Sequence, residues 1–112
     1  MRRVIIESPF AGDRDRNTDY AMACLADSLS LGEAPFASHM IYPLVLDDTV
    51  PAERRQGMAA GFAWAPVADA IVVYADLGIS NGMRQAIDLA KGRGQTIEYR
   101  FIMNNRAVDT NS

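Results

Sequence analysis

The sequence has very few of the residues that build metal sites and disulfides. Of its 112 residues, one is a cysteine, Cys24, and one is a histidine, His39. A single cysteine forms no internal disulfide, and one cysteine with one histidine gives too few ligands for a structural zinc site. We therefore expect no metal, no disulfide scaffold and a reducing, cytoplasmic location, with Cys24 buried and inert.

Long apolar runs and a basic excess are also missing. No apolar stretch approaches the roughly 20 residues that cross a bilayer. Residues 4–6, behind a basic start, are too short a stretch for a secretory signal. The formal net charge is −3, from 11 Lys and Arg against 14 Asp and Glu. We therefore expect neither a membrane nor a polymeric nucleic acid as partner.

The remaining composition is that of one globular domain. Hydrophobic residues make up 49% of the chain and charged residues 22%, which is close to the average for folded proteins. Short β-branched runs alternate with segments of helical spacing. The pattern predicts strands at 4–6, 37–42, 70–75 and 96–102. It predicts helices from Asn17 or Thr18 to 31, from 51 to 65, and from a Ser80 cap to 91.

This β-α-β-α-β-α-β alternation predicts an α/β fold. Parallel crossovers need a helix and are right-handed, so helices cover both faces of the sheet. We expect a Rossmann-like (flavodoxin-like) three-layer sandwich with a parallel sheet of four or five strands in the order 2-1-3-4. The domain spans residues 1–103, and residues 104–112 form a polar C-terminal tail.

A ligand site follows from that strand order. Open α/β sheets bind ligands beyond the carboxyl ends of their strands, where the direction of winding reverses. In the order 2-1-3-4 the reversal lies between the first and third strands. The loops that follow these strands, residues 7–13 and 76–82, have the most unusual composition in the chain. The sequence therefore predicts that the two loops meet at one crevice.

The second loop has the composition of an anion site. Gly78 and Gly82 flank Ser80 and Asn81 at the start of a helix, where backbone N–H groups favour phosphate or ribose. The ordinary alternative is that Ser80 only caps the helix and the glycines only form turns. The loop has neither the Gly-Lys-Ser/Thr ending of a Walker loop nor a Gly-x-Gly dinucleotide turn after the first strand.

Three carboxylates are candidate catalytic groups. Glu7 and Asp76 follow the first and third strands, where they would bind sugar hydroxyls or act as acid and base. Alternatively, Asp76 holds backbone amides in a turn and Glu7 pairs with Arg14 or Arg16 on the surface. Asp69 begins the third strand at the opposite end, where a capping role is the default.

Several other residues with polar or aromatic side chains fit either a structural or a functional role. His39 and Ser38 would point to opposite faces of a strand, which opposes a Ser-His-Asp triad, and a lone histidine is more often structural. Glu53, Arg54 and Arg55 open the second helix, where they either form a solvated face or supply an arginine that reaches a ligand phosphate or a second subunit. Trp64 fits a dimer contact or a partial core better than a base-stacking platform.

Two stretches carry a family resemblance. Residues 68–83 and 8–12 resemble the nucleoside 2-deoxyribosyltransferase-like superfamily. The likeness is closer to a small branch of it found in bacterial and phage genomes. The stretches that carry this closer likeness are Glu-Ser-Pro-Phe at 7–10, Pro-Phe-Ala-Ser-His at 35–39, Gly-Ile-Ser-x-Gly-Met at 78–83 and Glu-Tyr-Arg at 98–100.

The resemblance implies one Rossmann-like domain that binds a nucleoside or nucleotide, uses no cofactor and forms a homodimer or higher homo-oligomer. Enzymes of this superfamily cleave or transfer an N-glycosidic bond with a glutamate nucleophile near the start of the third helix, assisted by aspartates that match Asp69 and Asp76. The implied ligand-binding residues are Ser8, Pro9, Phe10, Gly12, His39, Gly78, Ser80, Asn81, Gly82 and Met83.

The sequence departs from this pattern at the nucleophile. The glutamate lies about four residues after a loop glycine, which here gives Ala86 from Gly82 or Gly82 from Gly78. Ile5 stands in the place of the tyrosine that positions the nucleophile. We therefore expect a nucleoside- or nucleotide-binding protein without that nucleophile. The alternative is an N-glycosidase or deoxyribosyltransferase in which Glu7, Asp76 and Asp69 take rearranged roles. A third, weaker hypothesis is an assembly protein that uses the face around Phe62 and Trp64.

Overall fold

The computed structural model describes residues 1–103, in which four strands alternate with three helices. All strand pairs are parallel, and the order is β2-β1-β3-β4. The predicted fold class and strand order are confirmed; the predicted tail at 104–112 lies outside the described residues. The strands are β1 (Arg3–Glu7), β2 (Ala34–Phe36), β3 (Ala70–Tyr74) and β4 (Thr96–Arg100), and the helices are α1 (Arg14–Ser30), α2 (Pro51–Trp64) and α3 (Asn81–Arg93).

The sheet separates two apolar layers. Alternate residues of β1 and β3 point to opposite faces because the side-chain period of a strand is two. On one face Val4, Ile6, Val72 and Tyr74 pack against Tyr20 and Cys24 of α1. On the other, Ile5, Ile71 and Val73 pack against Met83, Ile87 and Ala90 of α3. All five residues of β3 are buried, as expected of a strand covered on both faces.

The buried cysteine matches its prediction. Cys24 is fully buried in the α1 layer, and burial raises the pKa of its thiol to about 12. The thiol is therefore protonated at neutral pH and is a poor nucleophile.

The start of α1 corrects a prediction. The helix begins at Arg14, and its N-cap is Asp13, whose Oδ1 accepts a hydrogen bond from Arg16 N at 3.1 Å. The predicted cap at Asn17 or Thr18 is therefore wrong. Asn17 lies buried inside the first turns and its Nδ2 donates to the carbonyls of Phe10 and Ala11. It thereby holds the loop after β1 against the helix.

The second strand also differs from its prediction. β2 covers Ala34–Phe36, where it pairs with β1 from Arg3 to Ile5. It ends before the predicted stretch 37–42 begins. Two short 3₁₀ turns follow, at Ser38–Met40 and Tyr42–Leu44. They carry the chain across the carboxyl edge of the sheet, so His39 lies on a turn rather than on a strand.

Other predicted boundaries hold to within a few residues. α2 begins at Pro51, and α3 follows a Ser80 cap whose Oγ accepts from Met83 N at 3.3 Å. α3 ends at Arg93, and its C-cap Gly94 has a positive φ of 68° that favours glycine. β4 stops at Arg100, two residues earlier than predicted.

A network of ion pairs stabilises the α1 side of β4. Arg100 donates through both terminal nitrogens to Glu33, and Arg2 pairs with both Glu33 and Glu98. Arg100 is the main reason that the pKa of Glu33 falls to about 2. These contacts tie the residues that immediately precede β1 and β2 to β4.

No helix within residues 1–103 is long and apolar enough to cross a membrane.

Gly61 provides a test of the packing between α2 and the first 3₁₀ turn. A Cβ at Gly61 would lie 2.5 Å from Ser38 Oγ and 3.0 Å from Ser38 Cβ, so Gly61→Ala forces the turn to shift. We expect a loss of about 1–3 kcal/mol in the free energy of unfolding, measured by urea denaturation. The control is Gly92→Ala in α3, where a Cβ meets nothing within 4 Å. There we expect a gain of up to about 1 kcal/mol. Equal effects at both glycines would contradict the packing seen at Gly61.

Candidate functional site

A cavity of about 320 Å³ lies at the carboxyl edge of the sheet, beside the junction of β1 and β3. Its walls come from the loop after β1, the two 3₁₀ turns, α2 and the first turn of α3. Both predicted loops contribute to the cavity, and this is the place where the strand order reverses. Of the predicted site residues, those that line it are Glu7, Ser8, Phe10, His39, Ser80, Asn81, Gly82 and Met83.

Glu7 is the last residue of β1 and lies opposite Val73 of β3. It follows Ile5 at the two-residue spacing of a strand and so projects toward the α3 face. Among the described residues nothing hydrogen-bonds or ion-pairs with its carboxyl group, so the predicted pair with Arg14 or Arg16 is not formed. Burial raises the pKa of Glu7 to about 8. At neutral pH the group is therefore mainly a neutral carboxylic acid that can donate one hydrogen bond.

Ser8 and His39 form a polar pair in the same cavity. Ser8 Oγ and His39 Nε2 are hydrogen-bonded at 2.7 Å. Burial lowers the pKa of His39 to about 4, so the imidazole is neutral at pH 7. The edge of the Phe10 ring lies against the imidazole, with the centroids 6.5 Å apart. The expectation that Ser38 and His39 diverge was wrong because it rested on a strand that is absent here; both line the cavity.

The first turn of α3 supplies backbone donors. Ser80 Oγ accepts the hydrogen bond from Met83 N, so its capping role is real. The N–H groups of Asn81 and Gly82 belong to the first turn, where no intrahelical carbonyl is in reach. The residues Asn81 and Gly82 line the cavity together with Met83.

Asp76 lies at the carboxyl end of β3, as predicted, but outside the cavity wall. Its Oδ1 accepts from Tyr20 Oη at 2.6 Å and from Ile102 N at 2.9 Å, and its Oδ2 accepts from Met103 N at 2.9 Å. The structure thus shows the alternative role, in which Asp76 holds backbone amides. It joins α1 to the segment after β4.

The other predicted site residues also lie away from the cavity wall. Asp69 is at the amino edge of the sheet, where its Oδ2 accepts from Arg3 N at 2.7 Å; this is the default capping role. Gly12 and Gly78 adopt positive φ angles of 99° and 90° in their turns. Pro9 is buried in the loop after β1. Catalytic and binding roles for these residues stay predictions.

Part of the site was not predicted. Asp48 and Glu53 line the cavity with Arg54, as do Tyr42 of the second 3₁₀ turn and Gly57 and Gly61 of α2. One sequence feature points to this part of the site. It is the charged run at 53–55 at the start of α2, where the sequence allows an arginine to reach a ligand phosphate. The glycines allow α2 to approach the 3₁₀ turns closely.

The aromatic residues of α2 take different roles. Phe62 faces the cavity. Trp64 is about half exposed and its Nε1 donates to Tyr42 Oη at 3.0 Å, while its ring lies 5.8 Å from that of Phe36. A subunit contact at Trp64 stays a prediction.

Within residues 1–103, no three or more His, Cys, Asp or Glu side chains are grouped to hold a metal ion.

The fold and the cavity together define a doubly wound α/β protein with a small-molecule-sized cavity at its switch point. A family model described as a domain of unknown function, DUF7768, matches residues 2–100, and the chain belongs to this family. Comparison with curated proteins and with solved structures gave no match.

The protonated Glu7 predicts a specific pH dependence of stability. In the unfolded chain Glu7 ionises above its ordinary pKa of 4.5, whereas the folded protein keeps the proton to about 8. The folded state thus binds more protons, and Glu7 lowers the free energy of unfolding as pH rises from 4.5 to 8.

We expect Glu7→Gln to remove this loss, which is of the order of a few kcal/mol at pH 8. The free energy of unfolding of Glu7→Gln should exceed that of the wild type by little at pH 4.5 and by most at pH 8, measured by urea denaturation at each pH. Asp88→Asn on the exposed face of α3 is the control and should show no such trend. A gain for Glu7→Gln that is independent of pH would contradict a buried, protonated Glu7.

Proposed function

We propose that the protein binds a nucleoside or nucleotide in the cavity at the carboxyl ends of β1 and β3. The observation that carries the proposal is that one cavity brings together the Glu7 carboxyl group, the Ser8–His39 pair and the first turn of α3. Its volume of about 320 Å³ is at the small end of the range for ligand pockets, and such a volume suits a ligand of nucleoside size.

The polar groups of the cavity are complementary to sugar and base edges. A protonated Glu7 donates one hydrogen bond and accepts others, as sugar hydroxyls and base edges require. Ser8 Oγ and Nε2 of the neutral His39 ring already bond to each other, so a ligand would use the remaining lone pair of the Ser8 oxygen. Because none of these three groups is charged at neutral pH, an uncharged ligand does not have to displace a counter-ion from this part of the cavity.

The remaining walls suit a flat, weakly polar ring. Phe10, Met58 and Phe62 line the cavity with Tyr42. Aromatic faces stack on nucleobases without regard to base identity. The mixture of a few polar groups with aromatic walls supports a nucleobase as one end of the ligand.

The resemblance to nucleoside 2-deoxyribosyltransferase-like proteins supports the same ligand class. Neither of the two positions at which that resemblance places the nucleophile, Ala86 or Gly82, carries a carboxylate, and Ala86 is buried in α3. Asp76 and Asp69 have structural partners outside the cavity wall. Binding without a covalent glycosyl intermediate is therefore the primary proposal.

One observation favours a second candidate, an N-glycosidase. Glu7 holds a proton at neutral pH inside the cavity, which is the state required of a general acid. In this reaction water attacks the anomeric carbon and the C–N bond breaks. The leaving base takes the proton of Glu7, and the proton released by the attacking water restores the acid.

Binding is tested by calorimetry against the common ribo- and deoxynucleosides and their 5′-monophosphates. We expect Glu7→Ala to weaken binding about tenfold at pH 7, because it removes one hydrogen-bonding group. Glu7→Gln keeps a donor and an acceptor and should bind within a few-fold of the wild type. Above pH 8 the ligand affinity of the wild type should fall relative to that of Glu7→Gln, because the Glu7 carboxyl group ionises. Asp88→Asn on the exposed face of α3 is the control. Absence of binding by the whole panel, or full affinity in Glu7→Ala, would contradict the proposal.

The same ligands distinguish a protein that only binds them from an N-glycosidase. After incubation with the wild type, chromatography should recover the bound compound intact if the protein only binds. Release of free base that disappears in Glu7→Gln, with binding kept, would establish the second candidate. Release that persists in Glu7→Gln would exclude Glu7 as the acid.

A further inference from the structure

Two arginines converge on one carboxylate oxygen in the outer part of the cavity. Arg14 Nη2 and Arg54 Nη1 each lie 3.0 Å from Asp48 Oδ2. Arg14 begins α1, Arg54 belongs to the first turns of α2, and Asp48 lies in the loop before α2. Asp48 and Arg54 line the cavity, and both arginine side chains are more exposed than the Asp48 side chain.

Arg14 has a second support beside Asp48. Its guanidinium lies 4.2 Å from the centroid of the Phe10 ring, and Phe10 is a wall of the cavity. A cation on an aromatic face is attracted to the ring without any carboxylate. The Arg14 guanidinium is therefore held near the cavity even when Asp48 is removed.

The hydrogen-bonding capacity of this cluster is unbalanced. Two guanidiniums share one carboxylate, and a single oxygen of that carboxylate accepts from both. Each guanidinium has five N–H donors in a planar fork, which matches a phosphate group and exceeds what one oxygen accepts. Two further carboxylates are close by: Glu53 accepts from Asp47 N at 2.8 Å, and the Asp47 carboxylate lies within electrostatic reach of Arg14. A phosphate monoester, with three oxygens and nearly two negative charges, would match the two arginines better than Asp48 does.

The Asp48 carboxylate and the two arginines differ in how well water solvates them. The Asp48 side chain is 17% exposed and loses some stabilisation when its partners leave, whereas separated guanidiniums at an exposed site stay hydrated. Arg14 and Arg54 are both about half exposed. A ligand anion anchored in the cavity by its other end can therefore compete with the Asp48 carboxylate.

We propose that Arg14 and Arg54 form the phosphate subsite of the cavity, and that Asp48 is an internal anion that competes with the ligand phosphate for it. The inference rests on the proposed function, because the phosphate belongs to the ligand bound beside Glu7. It narrows that ligand to a nucleoside monophosphate. The alternative role is purely structural, in which Asp48 only ties α1 to α2.

The test compares calorimetric affinities for deoxynucleosides, their 5′-monophosphates and inorganic phosphate at low ionic strength. We expect Asp48→Asn to bind monophosphates about tenfold more tightly and nucleosides unchanged. Arg14→Gln and Arg54→Gln should each lower the affinity for monophosphates about tenfold or more and leave the affinity for nucleosides unchanged. A loss of this size corresponds to one hydrogen bond to a charged group. Arg55→Gln, the neighbouring exposed arginine of α2, is the matched control and should change neither.

Thermal melting of each variant checks that it folds. If Asp48→Asn unfolds, Asp48→Ser provides the same removal of charge. A ratio of monophosphate to nucleoside affinity that is equal in the wild type and all variants would overturn the subsite while leaving the proposed function intact.

A different result would show that the proposed function itself is wrong. If no nucleoside or monophosphate binds the wild type or Asp48→Asn, the ligand class is wrong, and inorganic phosphate then decides the subsite. Phosphate binding by Asp48→Asn that is lost in the double variants with Arg14→Gln or Arg54→Gln supports the arginine pair as an anion site. No phosphate binding by Asp48→Asn overturns it.

Discussion

The pairing of β1 with β3 is the contact on which the rest of the structure depends. Residues 4–7 of β1 pair in parallel with residues 70–73 of β3. Both strands therefore end at the same edge of the sheet, and their following helices lie on opposite faces. The two connections diverge above the strand ends and leave a cavity between them. Glu7 and the first turn of α3 share this cavity only because of that register.

The neutral and the charged polar groups lie in different parts of the cavity. In the inner part the Glu7 carboxyl group and the His39 imidazole are both neutral at pH 7, because burial disfavours the ionised forms. The charged groups Asp48 and Arg54 lie in the outer part with access to water. A ligand with an uncharged ring system and one anionic end matches this distribution.

Three carboxyl groups contrast in how they are accommodated. Glu33 is paired with Arg2 and Arg100, which keep it ionised and join the residues before β1 and β2 to β4. Asp76 accepts hydrogen bonds from a tyrosine and two backbone amides. Glu7 has no such partner among the described residues and is instead kept neutral by burial. A carboxyl group that destabilises the fold in this way is a candidate for a role in ligand binding.

The sequence by itself determined the alternation of elements, the all-apolar β3, the Ser80 cap and the strand order, because these follow from local spacing and from the right-handed crossover rule. It also indicated Glu7 and the loop before α3 as parts of one site. The cap of α1 is a local contact between Asp13 and Arg16 N, and it was mispredicted because several residues of capping type follow one another before the helix. Only the tertiary structure decided where β2 ends, that Asp76 holds the segment after β4, and that Asp48 joins Arg14 to Arg54. These features depend on contacts between residues from different elements, and no local pattern encodes the partner.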